Sequence, residues 1–430
     1  MKVDIISRET IKPSSPTPNH LRTYKLSLLD QFTREIYVSL LLFYAPPKKL
    51  DSNHISKCLK SSLSKTLTRF YPYAGRIKDG NSIECNDEGV VFFEAQVDKS
   101  LSAHVLKQPA DFSMLRKFLG DSKEEYRGLP LRVQANFFQC GGLVIGLTMC
   151  HELTDASTLG LFISAWSSTC SFSDDTKKFA ADFSMSSAFP AMDLASVPQP
   201  FNLTEGDFTM KRYVFDAAKI ALLKKKAISE GVLQPTRVEC VNSLIWKCAV
   251  AASRSRLGDD RPSIIMQPVN LRKRIVPPLP ENSIGNIFLP AVAEIEDSDG
   301  FELQDLIANM KRGVQDASEA AENVYKGDGV VTFACEMARE LENLGKREDM
   351  DFYVSTSWCK FPFYETDFGW GKPTWVSPGL KLFNNFFILI DSKDGEGIEA
   401  WCSLLGEDIA LIERNEEFIA FASINPTIPY

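Results

Sequence analysis

Apolar residues along the chain switch repeatedly between two spacings, and each switch predicts an element. Over residues 51–76, Ile55, Leu59, Leu63, Leu67 and Phe70 recur on one helical face. Ser52 or Asn53 can cap the start, and Pro72 forbids continuation. Lys57, Lys60, Lys65 and Arg69 are read as the wet side of this helix. Strand-like runs follow at 90–97, 131–138 and 141–150. Gln139 and Cys140 separate the last two runs, with Gly141 and Gly142 next, which suits a hairpin. After Cys150 the period changes: Leu153, Leu159, Phe162, Ile163 and Trp166 stand at helical spacings. His151 therefore falls at a strand-to-helix junction, where a fixed backbone can present a side chain to a cleft.

Periodicity fades from 171 to 209, where Ser, Pro and Asp are frequent. A stretch of this kind is a linker or a functional loop. Alternation then returns. Residues 211–216 read as a strand and 217–231 as a helix closed by Gly231. Residues 236–257 read as a longer helix, and 263–274, 383–391 and 398–404 as strands or strand starts. The expectation is a mixed α/β protein with a first domain at 1–170, a crossover at 171–209 and a second domain at 210–430.

A length of 430 residues fits about two domains rather than one core. The 44% apolar and 24% charged residues are those of a globular chain, which excludes disordered and fibrous classes. A net charge of −8 argues against a nucleic-acid binder. No apolar run approaches the ~20 residues of a membrane span, and no signal-like core opens the chain, so no membrane association is expected. Ten scattered cysteines without a C-x-x-C pair read as free thiols in a reducing cytoplasm.

Only four histidines are present: His20, His54, His104 and His151. A metal site built on several of them is not expected. "HELTD" (151–155) places Asp155 four residues after His151. In one reading Asp155 is a helix-start residue and His151 a packed polar group. In the other, His151 is a general base, since a neutral imidazole can take a hydroxyl proton near neutral pH. A single histidine suffices when the substrate supplies the nucleophile. "DFGWG" (367–371) lacks the phosphate loop and H-R-D loop of a kinase. Its glycines indicate a tight turn, and Trp370 indicates packing.

The pairing of "HELTD" with "DFGWG" resembles the plant BAHD acyltransferases, which use acyl-CoA. "FYPYAGR" (70–76), "VNLRKR" (269–274), "GNI" (285–287) and "STSW" (355–358) support the resemblance across nearly the whole chain. "KLSLLDQ" (25–31) and "CNDEG" (85–89) resemble the branch of alkaloid acetyltransferases. The resemblance implies two chloramphenicol-acetyltransferase-like domains with mixed sheets, joined by a long crossover loop, and an active-site channel at their interface. His151 would be the base, and Asp155 would face away from substrate and pair with Arg272. Asp367 would support the site structurally.

The implied reaction is acyl-CoA-dependent O-acylation, with acetyl-CoA as donor and an alkaloid or terpenoid alcohol as acceptor. Acyl-CoA is a co-substrate; no bound cofactor and no metal are implied, and a monomer is expected. An amide-forming N-acyltransferase and a silent ligand-binding homologue are the alternatives. Two positions depart from the family pattern. Ala156 stands where Gly often follows the motif Asp. Lys360 stands where many members carry Arg, a candidate for contact with a polar acceptor but without a guanidinium's bidentate geometry. The cations for the CoA phosphates and the donors for the oxyanion are not identifiable from sequence.

Overall fold

The computed structural model describes the chain except residues 34–35, 47–50, 121–125, 173–178, 193–207, 296–301, 325–335, 337–338, 340–341, 344–345, 348, 380–382 and 429–430. The expected crossover thus lies outside the described residues at 173–178 and 193–207.

Among the described residues, thirteen strands make the two large sheets. They are β1 (Val3–Ile11), β2 (Tyr37–Tyr44), β3 (Val90–Val97), β4 (Leu131–Phe138), β5 (Leu143–Cys150), β6 (Thr209–Phe215), β7 (Ser263–Asn270), β8 (Phe288–Ile295), β9 (Asp351–Ser357), β10 (Trp375–Pro378), β11 (Phe386–Asp391), β12 (Ile398–Leu404) and β13 (Ser423–Ile424). The first sheet runs β1-β3-β4-β5-β2-β10 and the second β8-β7-β9-β11-β12-β6-β13. Both are mixed. The parallel pairs are β3/β4, β7/β9 and β9/β11, and the predicted hairpin is β4/β5.

The first sheet carries two long helices, α1 (Ser52–Arg69) and α2 (Ala156–Cys170), and the second carries α3 (Arg237–Leu257) and α4 (Leu303–Val324). The apolar stripe of α1 is buried as its spacing predicts: Leu59, Leu63 and Leu67 are fully covered. Each such side chain contributes roughly 1.5–3 kcal/mol. Trp166 of α2 donates its indole N–H to the Leu59 carbonyl at 3.2 Å, locking the two helices together.

Asp51, rather than Ser52 or Asn53, caps α1 by accepting the His54 N–H at 2.7 Å. The wet side is only partly wet, because Lys60 pairs with Glu9 and Glu94. The helix expected at 217–231 ends at Ala227, and Gly231 sits in the tight turn beyond.

Chain order does not map one-to-one onto the sheets. β10 comes from the second half yet pairs antiparallel with β2 at the edge of the first sheet, Trp375 facing Phe43 and Pro378 facing Leu40. Pro378 is tolerated because an edge strand has one unpaired side. Trp375 also donates to Glu399 of β12 at 3.1 Å, and Glu399 pairs with Arg212 of β6 at 2.6 Å. Arg212 is 2% and Glu399 5% exposed. This buried pair ties the crossing strand to the second sheet. Glu399→Ala leaves Arg212 buried without its carboxylate and is expected to cost about 3–5 kcal/mol. Urea unfolding with an unchanged midpoint would show that the pair does not hold the sheets together.

Candidate active site

β5 ends at Cys150, and the chain then makes one turn before α2 begins. His151 sits on that turn, its N–H held by the Ile36 carbonyl at 2.7 Å. Asp155 is the N-cap of α2: its Oδ1 accepts the Thr158 N–H at 2.7 Å. Both readings of Asp155 therefore meet in one residue, because the cap is also an ion-pair partner. Arg272 Nη1 donates to Asp155 Oδ2 at 2.7 Å, and Nη2 donates to Oδ1 at 3.1 Å. Arg272 Nε and Nη2 also donate to the Ser283 carbonyl, and Nη2 reaches the Gly285 carbonyl. The Ile287 N–H completes the carboxylate at 3.3 Å. With four donors in place, Asp155 is saturated.

The imidazole turns elsewhere. His151 Nδ1 lies 2.9 Å from Asn286 Oδ1. The Asn286 backbone N–H donates to Asp30 Oδ1 at 2.7 Å, and its side-chain Nδ2 donates to the same oxygen at 3.1 Å and to Thr33 Oγ1 at 3.0 Å. Asp30 is fully buried. Burial pushes its carboxyl up, while bonds from Ser27 and Asn286 pull it down. Gly285 is required here: its φ of +126° is left-handed, and a Cβ would stand 3.0 Å from Asp30 Oδ1. Neither Asn286 nor Asp30 carried a chemical signal in the sequence. They lay inside "GNI" and "LLDQ", and only the fold brings them to His151.

His151 lines a cavity between the two sheets. Val38 and Ser39 of β2 form one wall, and Met266, Val354 and Phe386 of the second sheet form the other. Phe32, Tyr37, Phe288, Trp358, Phe361 and Phe383 add aromatic surface, with Thr33, Ser157, Asn270 and Thr356 as polar points. Among the described lining residues there is no Lys or Arg. Burial lowers the His151 pKa below the ordinary imidazole value, against the opposing effect of its hydrogen bonds. The ring is neutral near pH 7.

Two predicted residues are not brought to the cavity. Lys360 is exposed, outside the lining although Trp358 and Phe361 belong to it, and its backbone N–H donates to Asp391 at 2.6 Å. Asp367 also lies outside the lining, and its Oδ1 accepts the N–H groups of Gly369 (2.7 Å) and Gly371 (2.9 Å). Both glycines have φ near +105°, so the turn needs them. Trp370 stacks on Phe368 at 5.5 Å and meets Tyr44 of β2 edge-on. Four residues after Trp370, Thr374 bonds to Phe43 and starts the crossing strand. "DFGWG" therefore docks β10 onto β2. Among the described residues no group of three or more His, Cys, Asp or Glu is placed to hold a metal ion.

A family model described as the Transferase family matches residues 1–419, and the chain belongs to that family, the BAHD acyl-CoA-dependent acyltransferases. The chain is 39% identical to akuammiline synthase 1 of Alstonia scholaris over 422 residues, 97% of each chain. It is 38% identical over 445 residues to a limonoid 21-O-acetyltransferase of Melia azedarach, covering all of both. The crystal structure of vinorine synthase superposes with a TM-score of 0.87 at 32% identity, covering 100% of each chain. TRI101 of F. graminearum, complexed with coenzyme A and T-2 mycotoxin, shares the fold at a TM-score of 0.74 and 16% identity, over 94% of this chain and 99% of that one. The two-layered, mixed-sheet α/β architecture is thus that of these acyltransferases, and the chain is an enzyme of this class.

The Asp155–Arg272 contact makes a direct prediction. Asp155→Ala and Arg272→Ala each strand a buried charge and should each cost about 3–5 kcal/mol. The double variant should cost less than the sum. A strictly additive cycle in thermal or urea unfolding would count against coupling.

Proposed function

We propose that this chain transfers an acetyl group from acetyl-CoA to a hydroxyl of an apolar, polycyclic plant alcohol of alkaloid or terpenoid type. The observation that carries the reading is a neutral histidine, oriented through Nδ1, on the wall of a largely apolar cavity. His151 Nε2 takes the proton of the acceptor hydroxyl as its oxygen attacks the thioester carbonyl carbon. The tetrahedral intermediate collapses, the C–S bond breaks, and the proton passes from the imidazolium to the CoA sulfur. Ester and CoA leave, and His151 is neutral again. The substrate oxygen is the nucleophile, so no acyl-enzyme forms. Cys150, beside His151 in sequence, is a poor rival because burial pushes its thiol well above the ordinary range.

Asp155 and Arg272 hold the turn that presents His151, and Asp367 acts at a distance by docking β10. The lining favours an apolar acceptor, since most of the described wall is aliphatic or aromatic. The relatives named for limonoid O-acetylation and akuammiline synthesis support the acceptor class and the acetyl donor. A reducing cytoplasm suits the nine described cysteines, all of them free. Among the described residues no helix is long and apolar enough to cross a membrane. A monomeric enzyme is part of this proposal.

The test is a panel of limonoid, triterpenoid and indole-alkaloid alcohols, with matched amines, incubated with acetyl-CoA. CoA release and mass spectrometry would report the products. Acetylation confined to the amines would replace this reading with N-acylation; no product from any acceptor or acyl-CoA would favour a silent homologue. With an active acceptor, His151→Ala should lower kcat by about 10²–10⁴-fold. A purified variant with near-native turnover would remove His151 from the chemistry.

The pH dependence has a definite sign. The folded state binds the His151 proton less readily than the unfolded chain does. Its contribution to stability is present above about pH 6.5 and is lost as the pH falls from there to the folded value. The acidic limb of kcat/KM should accordingly lie below about 6.5 and vanish in His151→Ala. A limb above 7 would contradict the depressed value.

A further inference from the structure

We propose that Asn286, braced by Asp30 and Thr33, is the positioning residue that keeps the proton of neutral His151 on Nδ1 and leaves the Nε2 lone pair for the substrate. The proposal rests on His151 being the base. An asparagine beside an imidazole is ambiguous, because its amide can turn either end to the ring. If the NH2 end faced the ring it would hold the wrong tautomer, the kind of error that costs catalytic triads several orders of magnitude.

The surroundings remove the ambiguity. Asn286 Nδ2 lies within hydrogen-bond distance of Asp30 Oδ1, Thr33 Oγ1 and the His151 carbonyl. A carboxylate and a carbonyl can only accept. The Thr33 hydroxyl has the Asp30 carbonyl at 2.9 Å to donate to, which frees a lone pair for Asn286. A flipped amide would set its oxygen against these acceptors. Oδ1 must then face His151 Nδ1, 2.9 Å away, and an amide oxygen cannot donate. The hydrogen in that bond belongs to Nδ1.

Asp30 reaches further than the side chain. Its Oδ1 also receives the Asn286 backbone N–H at 2.7 Å, and its Oδ2 receives the Ser27 N–H and hydroxyl at 2.9 and 2.7 Å. Both ends of the residue that touches His151 are therefore pinned to one buried carboxylate. Asp155 cannot do this work, since its four acceptor places are filled by Arg272, Thr158 and Ile287. The arrangement also fits the reaction. When His151 becomes an imidazolium, the Nδ1–H bond to the amide oxygen becomes charge-assisted and strengthens. The amide itself adds no full charge at Nδ1, so it orients the ring without turning it into a stronger proton trap.

The experiment reads the tautomer without needing an acceptor. With only four histidines, protein labelled with ¹⁵N in histidine alone gives few ring signals, and His151→Gln identifies the one sought. Two-bond ¹H–¹⁵N spectra at neutral pH should show a pyrrole-like Nδ1 and a pyridine-like Nε2 for His151. In Asn286→Ala the pattern should collapse towards a mixture of tautomers. A wild-type spectrum with the proton on Nε2 overturns the proposal even if no variant folds. So does a folded Asn286→Ala that keeps the native pattern. Full turnover by His151→Ala would refute the base assignment but leave the tautomer result intact, so the two failures are separable.

Discussion

The bidentate contact between Arg272 and Asp155 is the constraint on which the site depends. Asp155 opens α2, directly after the turn that carries His151. Arg272 follows β7 in the second sheet and also grips the Ser283 and Gly285 carbonyls. One guanidinium thus fixes the histidine turn and the Gly285–Asn286 segment relative to each other. Buried ion pairs are poor net sources of stability, because desolvation offsets most of the attraction. Their strength lies in geometry: planar, bidentate bonds allow few alternative arrangements. Here that geometry delivers Asn286 to the imidazole.

A second constraint sets the walls. β10 leaves its own half and lies beside β2, placing Pro378 on the cavity. The "DFGWG" turn makes this possible, with Asp367 closing the backbone and Trp370 packed between Phe368 and Tyr44. Arg212 and Glu399 then bind the crossing strand to the second sheet through Trp375. The motif acts on the cavity through the sheet edge rather than through a proton.

Much of the fold was legible in the chain. The period of 3.6 located α1 and α2 from their apolar positions, and the runs at 131–138 and 141–150 read as strands, which the structure covers throughout over 131–138 and 143–150. The misses have local causes. Asp51 won the cap over Ser52 and Asn53, since any of these short polar side chains can reach the free N–H groups and only the backbone trajectory chooses. Strand β10 went unread because four residues ending in proline carry no usable alternation. Lys360 was placed by motif spacing, yet its backbone is held by Asp391 and its side chain lies outside the lining.

By itself the sequence determined many of the elements, the family and the candidate base. His151 stands out because histidines are few and the strand-to-helix switch occurs beside it. Periodicity and caps are properties of neighbouring residues, so they survive in one dimension. What surrounds the imidazole was decided only by tertiary structure. Asn286 comes from 135 residues further along, and Asp30 lies 256 residues from Asn286. Neither belongs to a repeating pattern, and an asparagine in a loop looks the same whether it faces water or a catalytic ring. The distinction arises only on folding, when burial removes the water that would otherwise satisfy these groups and each must find its partners within the protein.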